Sequence, residues 1–168
     1  MGRAQRSASL VAIAAFLLNS CVVPSTPVAP SAGVVAADAR ALRYGASAPE
    51  IFNNPQMREK LRALFGPDWD PGGAVAVGAP AFFPSTSAIR LVNIGDQDYI
   101  AITGCVTSAC ASHRGLLLIR QEGDWLMARL DEGGFSHYYS FGPGATLNTV
   151  PQAWIDNAWR AVQRVQRG

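Results

Sequence analysis

Charge is scarce in this chain of 168 residues: 15% are Asp, Glu, Lys or Arg, against roughly 25% in an ordinary soluble domain. Fourteen basic residues against twelve acidic leave a formal charge of only +2, and no Lys/Arg cluster appears. A nucleic-acid binder carries a basic stripe on one face, so the composition argues against that class of partner. No apolar run reaches the roughly 20 residues that span a bilayer as a helix. Internal repeats, paired carboxylates and metal-ligand clusters are missing as well, and no cofactor is implied. What is present is a hydrophobic fraction of 49%. That is enough for a packed core and excludes global disorder. The length fits one domain with a tail.

The low charge has a local cause at the N-terminus. Met1 to Arg6 carries two arginines, and Ala8 to Leu18 is an uncharged, mostly apolar run. A basic start followed by a 7–15-residue apolar stretch is the pattern of a secretory signal. The run ends Leu18-Asn19-Ser20-Cys21, which resembles the bacterial lipobox. In such signals the cysteine thiol takes a diacylglycerol, and cleavage leaves the lipidated cysteine as the new N-terminus. The expectation is a signal peptide over residues 1–20 and a lipid on Cys21. Val22 and Val23 follow with no Asp after the cysteine, a pattern that points to the outer membrane, facing the periplasm. Losing Arg3 and Arg6 leaves twelve basic residues against twelve acidic. The small basic excess therefore belongs to the signal and says nothing about a ligand.

Residues 21–49 are rich in Pro, Ala, Ser, Val and Gly and read as a tether, with a helical turn at most over Asp38 to Tyr44. The folded domain is expected over residues 50–168. Asn54-Pro55 predicts a helix start, with Met57, Leu61, Leu64 and Phe65 as its apolar stripe and Gly66-Pro67 as its stop. A short strand is expected at Ala74–Val77. A meander follows: Ser87–Ile94, a turn at Gly95-Asp96, Gln97–Thr103, Arg114–Arg120 and Trp125–Leu130. Leu116 to Ile119 are apolar on both faces, which predicts a central strand. Phe135–Phe141 reads as a fifth, edge strand. A helix over Pro151–Val165 closes the chain, burying Trp154, Ile155, Ala158, Ala161, Val162 and Val165. Its C-terminal Arg160, Arg164 and Arg167 suit the helix dipole. The class is α+β: an antiparallel sheet of about five strands flanked by helices.

Cys105 and Cys110 sit between the second and third strands of the meander. Outside the cytoplasm, two cysteines left after lipidation are expected to pair. Closing so small a ring stabilises by only roughly 2 kcal/mol. Its main effect is to hold the loop in one shape before any partner arrives. Competing uses are weaker. Cys105, Cys110 and His113 offer three zinc ligands, but at unusual spacing and with no fourth. A catalytic cysteine needs a free thiolate. Ser112 and His113 are neighbours, and adjacent residues of a strand face opposite ways. His137 reads as packing or surface, and Asp131-Glu132 as a solvated turn.

The stretch Ile89–Arg129 resembles the Ivy family, exported Gram-negative inhibitors of vertebrate (c-type) lysozyme. The resemblance rests on the hairpin turn Gly95-Asp96-Gln97-Asp98-Tyr99 and on G-C-x4-C-x-S-x-R over Gly104 to Arg114, followed by an apolar strand, a turn and a return strand. It spans roughly residues 50 to 165. It implies a disulfide-held loop that enters the lysozyme active-site cleft and blocks it, with Ser112 and Arg114 supporting the loop. The family loop reads Cys-Lys-Pro-His-Asp-Cys, its histidine meeting the catalytic carboxylates. Here the four positions are Val106, Thr107, Ser108 and Ala109, and both charge and imidazole are gone. A Ser hydroxyl still hydrogen-bonds a carboxylate, but charge-assisted bonds are roughly twice as strong. Losing two of them costs on the order of 10²–10⁴ in affinity.

Three functions follow as expectations. The first is an envelope inhibitor whose partner is a c-type lysozyme or an endogenous lytic transglycosylase. The second is a non-inhibitory binding module of the same fold with another partner. The third, an enzyme, has the least in its favour, since no triad stands out.

Overall fold

The computed structural model describes residues 30–36, 38–143 and 149–167. The expected signal segment and Cys21, the expected site of the lipid, lie outside the described residues.

Six strands form one fully antiparallel sheet in sequence order: β1 (Ala32–Val35), β2 (Ala88–Ile94), β3 (Gln97–Cys105), β4 (His113–Arg120), β5 (Leu126–Glu132) and β6 (Phe135–Phe141). The α+β class is as expected, but the strand count is six. The extra strand, β1, falls inside the stretch expected to be tether. It pairs Ala32 with Ile94 and Val35 with Leu91. Its four residues are short and weakly patterned, and the sheet beside it supplies the order that its own sequence does not. Ala41, Tyr44 and Ala48 are buried too, so the packed unit starts well before residue 50.

The period-two alternation of the strands loads both faces of the sheet. On β4, Leu117 and Ile119 join one core while Leu116 and Leu118 join the other. That strand sits between β3 and β5, the interior position its apolar run predicts. The first core is covered by α1 (Ala48–Asn53), α2 (Arg58–Phe65) and the tight turns Ala39–Leu42, Gly66–Trp69 and Ala79–Phe82. The second is covered by α3 (Thr149–Arg167) through Ile155, Ala158, Trp159 and Val162. The result is three layers with the sheet in the middle.

Local chemistry sets the boundaries. Helix α1, not anticipated, has a reciprocal cap. The Ser47 hydroxyl accepts from the Glu50 amide, while the Glu50 carboxylate accepts from Ser47 Oγ and from the Ala46 amide, both at 3.0 Å. Asn54 ends α1 rather than capping α2, which begins at Arg58. Its buried stripe is nevertheless the expected one, Met57, Leu61, Leu64 and Phe65. The expected strand at 74–77 is absent. Instead Asp68 accepts from the amides of Ala74 and Val75, holding Val75 fully buried in an irregular loop. On α3, Val165 is exposed rather than buried, and Trp154 packs on Trp125 with ring centroids 5.8 Å apart. Gly95 and Asp96 both take positive φ, 55° and 65°. Those are the dihedrals of a two-residue hairpin turn that matches strand twist.

Candidate functional site: the disulfide loop between β3 and β4

Strand β3 ends on Cys105, β4 begins at His113, and the seven residues between them form the loop. The Cys105–Cys110 disulfide closes its first part, with Cα atoms 4.9 Å apart. Backbone bonds subdivide the rest. Val106 N–H donates to His113 O at 3.1 Å, Ala109 N–H to Val106 O at 2.8 Å, and the Ser112 and His113 amides both donate to Ala109 O. These are two consecutive turns, so the loop is shaped by its own hydrogen bonds as well as by the sulfur bridge.

The expected tip residues do not behave alike. Thr107 and Ser108 are exposed. Val106 is half-buried and packs against the core beneath α1 and α2. Ala109 is half-buried, its carbonyl holding the second turn. The accessible surface of the loop is Thr107 and Ser108, continued by Cys110, Ala111 and Ser112.

Three side chains brace the loop from below. Arg114 donates Nε to the Cys110 carbonyl at 2.9 Å and Nη2 to the Ala111 carbonyl at 3.4 Å. Ser112 Oγ lies 2.8 Å from His113 Nδ1, and His113 Nε2 lies 3.3 Å from Glu132 Oε1. The imidazole also stacks on Phe82, with ring centroids 6.1 Å apart. Glu132 in turn accepts from the Ala76 amide, and the Gly133 amide donates to Ser112 O at 3.1 Å. The β5–β6 hairpin thus backs the loop.

The Ser112–His113–Glu132 relay overturns two expectations. Ser112 precedes β4 and sits in a turn, so strand alternation does not separate it from His113. Asp131 and Glu132 are not a solvated turn either. They end β5, and Asp131 accepts from Arg129 and from Ser136 Oγ. A hydroxyl, an imidazole and a carboxylate in series resemble a nucleophile relay. Such a relay needs donors aimed at a developing oxyanion. Here the amides of Ser112, His113 and Gly133 already donate to carbonyls. In the structure these bonds link the loop to the start of β4 and the end of β5. The zinc reading also falls, because the two sulfurs are bonded to each other rather than available as thiolates.

No protein-family model matches the chain, and no curated protein matches its sequence.

Proposed function

We propose that the chain is a cell-envelope lipoprotein, anchored through a lipid on Cys21 in the outer membrane and facing the periplasm. It acts as a proteinaceous inhibitor of lysozyme-type muramidases and not as an enzyme. Its disulfide loop enters the muramidase cleft, with a c-type lysozyme or an endogenous lytic transglycosylase as partner. One observation carries this reading: Thr107 and Ser108 are exposed at the end of a strand pair while sulfur, backbone and Arg114 bonds fix the segment from Cys105 to Arg114. A pre-shaped loop loses little entropy on docking. The loop tip without charge favours the second reading, a binding module of the same fold with another partner, as the runner-up.

Titrating lysozyme and a lytic transglycosylase with the purified domain separates the two. Inhibition at micromolar protein, lost in Ser108→Trp, supports the inhibitor. No inhibition of either enzyme at that concentration removes it and leaves the binding module. The anchor is tested separately, by lipid labelling of Cys21 and by sensitivity of processing to globomycin.

A further inference from the structure

A cleft of about 440 Å³ opens on the α3 side of the sheet, at the disulfide end. That volume lies in the range of small-molecule sites. Its walls are the ends of β2, β3 and β4 and the last turns of α3. Trp159 and Val162 give it an apolar floor, Thr103 and Gln166 a polar wall, and Arg114 a charged rim beside the disulfide. The two sides are tied together, since Gln166 Nε2 donates to Thr103 Oγ1 at 3.2 Å.

The charge of this cleft is one-sided. Arg114 is the only ionisable side chain among its lining residues, and no carboxylate lines it. Among the described residues Arg114 makes no ion pair, in contrast to Arg40, Arg120 and Arg129. Its bonds go to two loop carbonyls, which fix the guanidinium in place, and Asp131, its cross-strand neighbour on β5, is engaged by Arg129 and Ser136 instead. A guanidinium has five donors, so capacity for an acceptor remains. The C-terminal end of α3 carries partial negative charge, and the exposed Arg164 lies on its last turns.

We propose that this cleft binds a small amphipathic carboxylate, with the anionic group on Arg114 and the apolar part against Trp159 and Val162. One fixed guanidinium matches one carboxylate, and guanidinium–carboxylate pairing is the geometry arginine serves best. The site adjoins the disulfide loop, sharing Cys110 and Arg114 with it, but neither Thr107 nor Ser108 lines it, and it does not depend on any muramidase being the partner.

Hydrocinnamate is a suitable probe and hydrocinnamide its neutral control. They are titrated into the nitrogen-15-labelled full chain and followed in two-dimensional amide spectra. A fragment of this size binds with a Kd on the order of 1 mM. The expected result is saturable shifts at Thr103, Arg114, Val162 and Gln166 with the carboxylate, and much smaller ones with the amide. Arg114→Gln should weaken the carboxylate about tenfold, and Arg114→Lys, which keeps the charge without the fork, should weaken it less. Equal shifts from the two probes overturn the proposal. So does the absence of localised shifts at ~10 mM probe, or unchanged affinity in a folded Arg114→Gln. If Arg114→Gln does not fold, the probe comparison on the parent chain and on Arg114→Lys decides alone. Because no muramidase is present, failure here leaves the inhibitor reading standing, and the converse also holds.

Discussion

The Tyr139 hydroxyl donates to Asp68 Oδ2 across 2.9 Å in the core beneath α1 and α2, and the same carboxylate accepts from the amides of Ala74 and Val75. One side chain thereby ties the turn after α2, the irregular loop at 71–78 and the edge strand β6. Asp68→Ala would strand the Val75 amide and the Tyr139 hydroxyl in a largely buried site. Buried unsatisfied groups of this kind cost about 1–3 kcal/mol each, so a loss of about 2–4 kcal/mol is expected. Tyr139→Phe removes one donor and leaves the loop bonds intact, and should cost less, about 1–2 kcal/mol. Urea midpoints at constant m-value measure both. The role of Asp68 as the common tie is wrong if the alanine variant is the milder of the two.

Alkaline pH should destabilise the fold. Each of the four tyrosines has its pKa raised, first of all by burial. The carboxylates of Asp156 and Asp68 push Tyr138 and Tyr139 up further. In the unfolded chain these phenols ionise near pH 10. Above that value the unfolded state holds fewer protons than the folded one, so stability falls as pH rises. The stabilising contribution is complete below about pH 10 and is lost as pH climbs through the raised folded values. Denaturant midpoints should be flat in this respect at neutral pH and drop steeply above about 10. Tyr139→Phe should make that drop shallower. An unchanged slope in this variant would show that other groups drive the alkaline transition.

The meander and its closing helix were readable because each strand is bounded by turn chemistry and each stripe has one clear period. Gly95-Asp96 and Gln121 to Asp124 punctuate the sheet, and Leu116 to Ile119 mark an interior strand. Strand β1 was not readable, since four residues in an Ala/Pro/Val-rich stretch look the same whether they pair or dangle. The cap of α1 is present in the sequence as Ser47 with Glu50 three residues on, a capping box, but the Pro-rich stretch around it obscures the signal. At the candidate site, the cysteine pair was visible from the expected compartment and the spacing. The brace beneath it was not, because Glu132 reaches His113 from nineteen positions away through cross-strand register. No local pattern reports such a contact.

Arg129 should be the costliest surface-facing arginine to remove. Its Nε and Nη2 grip Asp131 at 2.7 and 3.1 Å, and its Nη1 reaches Asp156 on α3 at 2.7 Å. The guanidinium also lies over the rings of Tyr138 and Trp159, 5.6 and 5.4 Å from their centroids. Burial alone would lower its pKa, but pairing with Asp131 and Asp156 outweighs that and raises it. Arg129→Ala leaves two partly buried carboxylates facing each other and removes a link between β5 and α3. A loss of about 2–4 kcal/mol is expected. Arg129→Lys keeps the charge without the two-pronged grip and should recover less than half. A double-mutant cycle with Asp156→Asn should give a coupling of about 1–2 kcal/mol. A coupling near zero would mean that the Arg129–Asp156 pair does not help hold the helix, which its apolar face and its other polar ties hold instead.

Removing the disulfide should separate shape from stability. The double variant Cys105→Ala/Cys110→Ala opens a ring of six residues, and the entropy of so small a loop is worth roughly 2 kcal/mol. The sheet beneath keeps its register, because Gly104 still pairs with Gly115 and Thr103 with Leu116. The loop itself changes more. Without the bridge, Thr107 and Ser108 are held by the backbone bonds at Val106 and Ala109 and by the Arg114 contacts to Cys110 and Ala111. Ordering the tip then adds to the cost of docking. The variant should therefore fold, with a melting temperature several degrees lower, and bind the proposed muramidase partner at least about tenfold more weakly, chiefly through slower association or faster release. Calorimetry and surface-binding kinetics on the same preparation read the two effects. If affinity survives while the amide protons of residues 106–112 lose their protection, the partner meets some other face, and the loop is a structural tie between β3 and β4 alone.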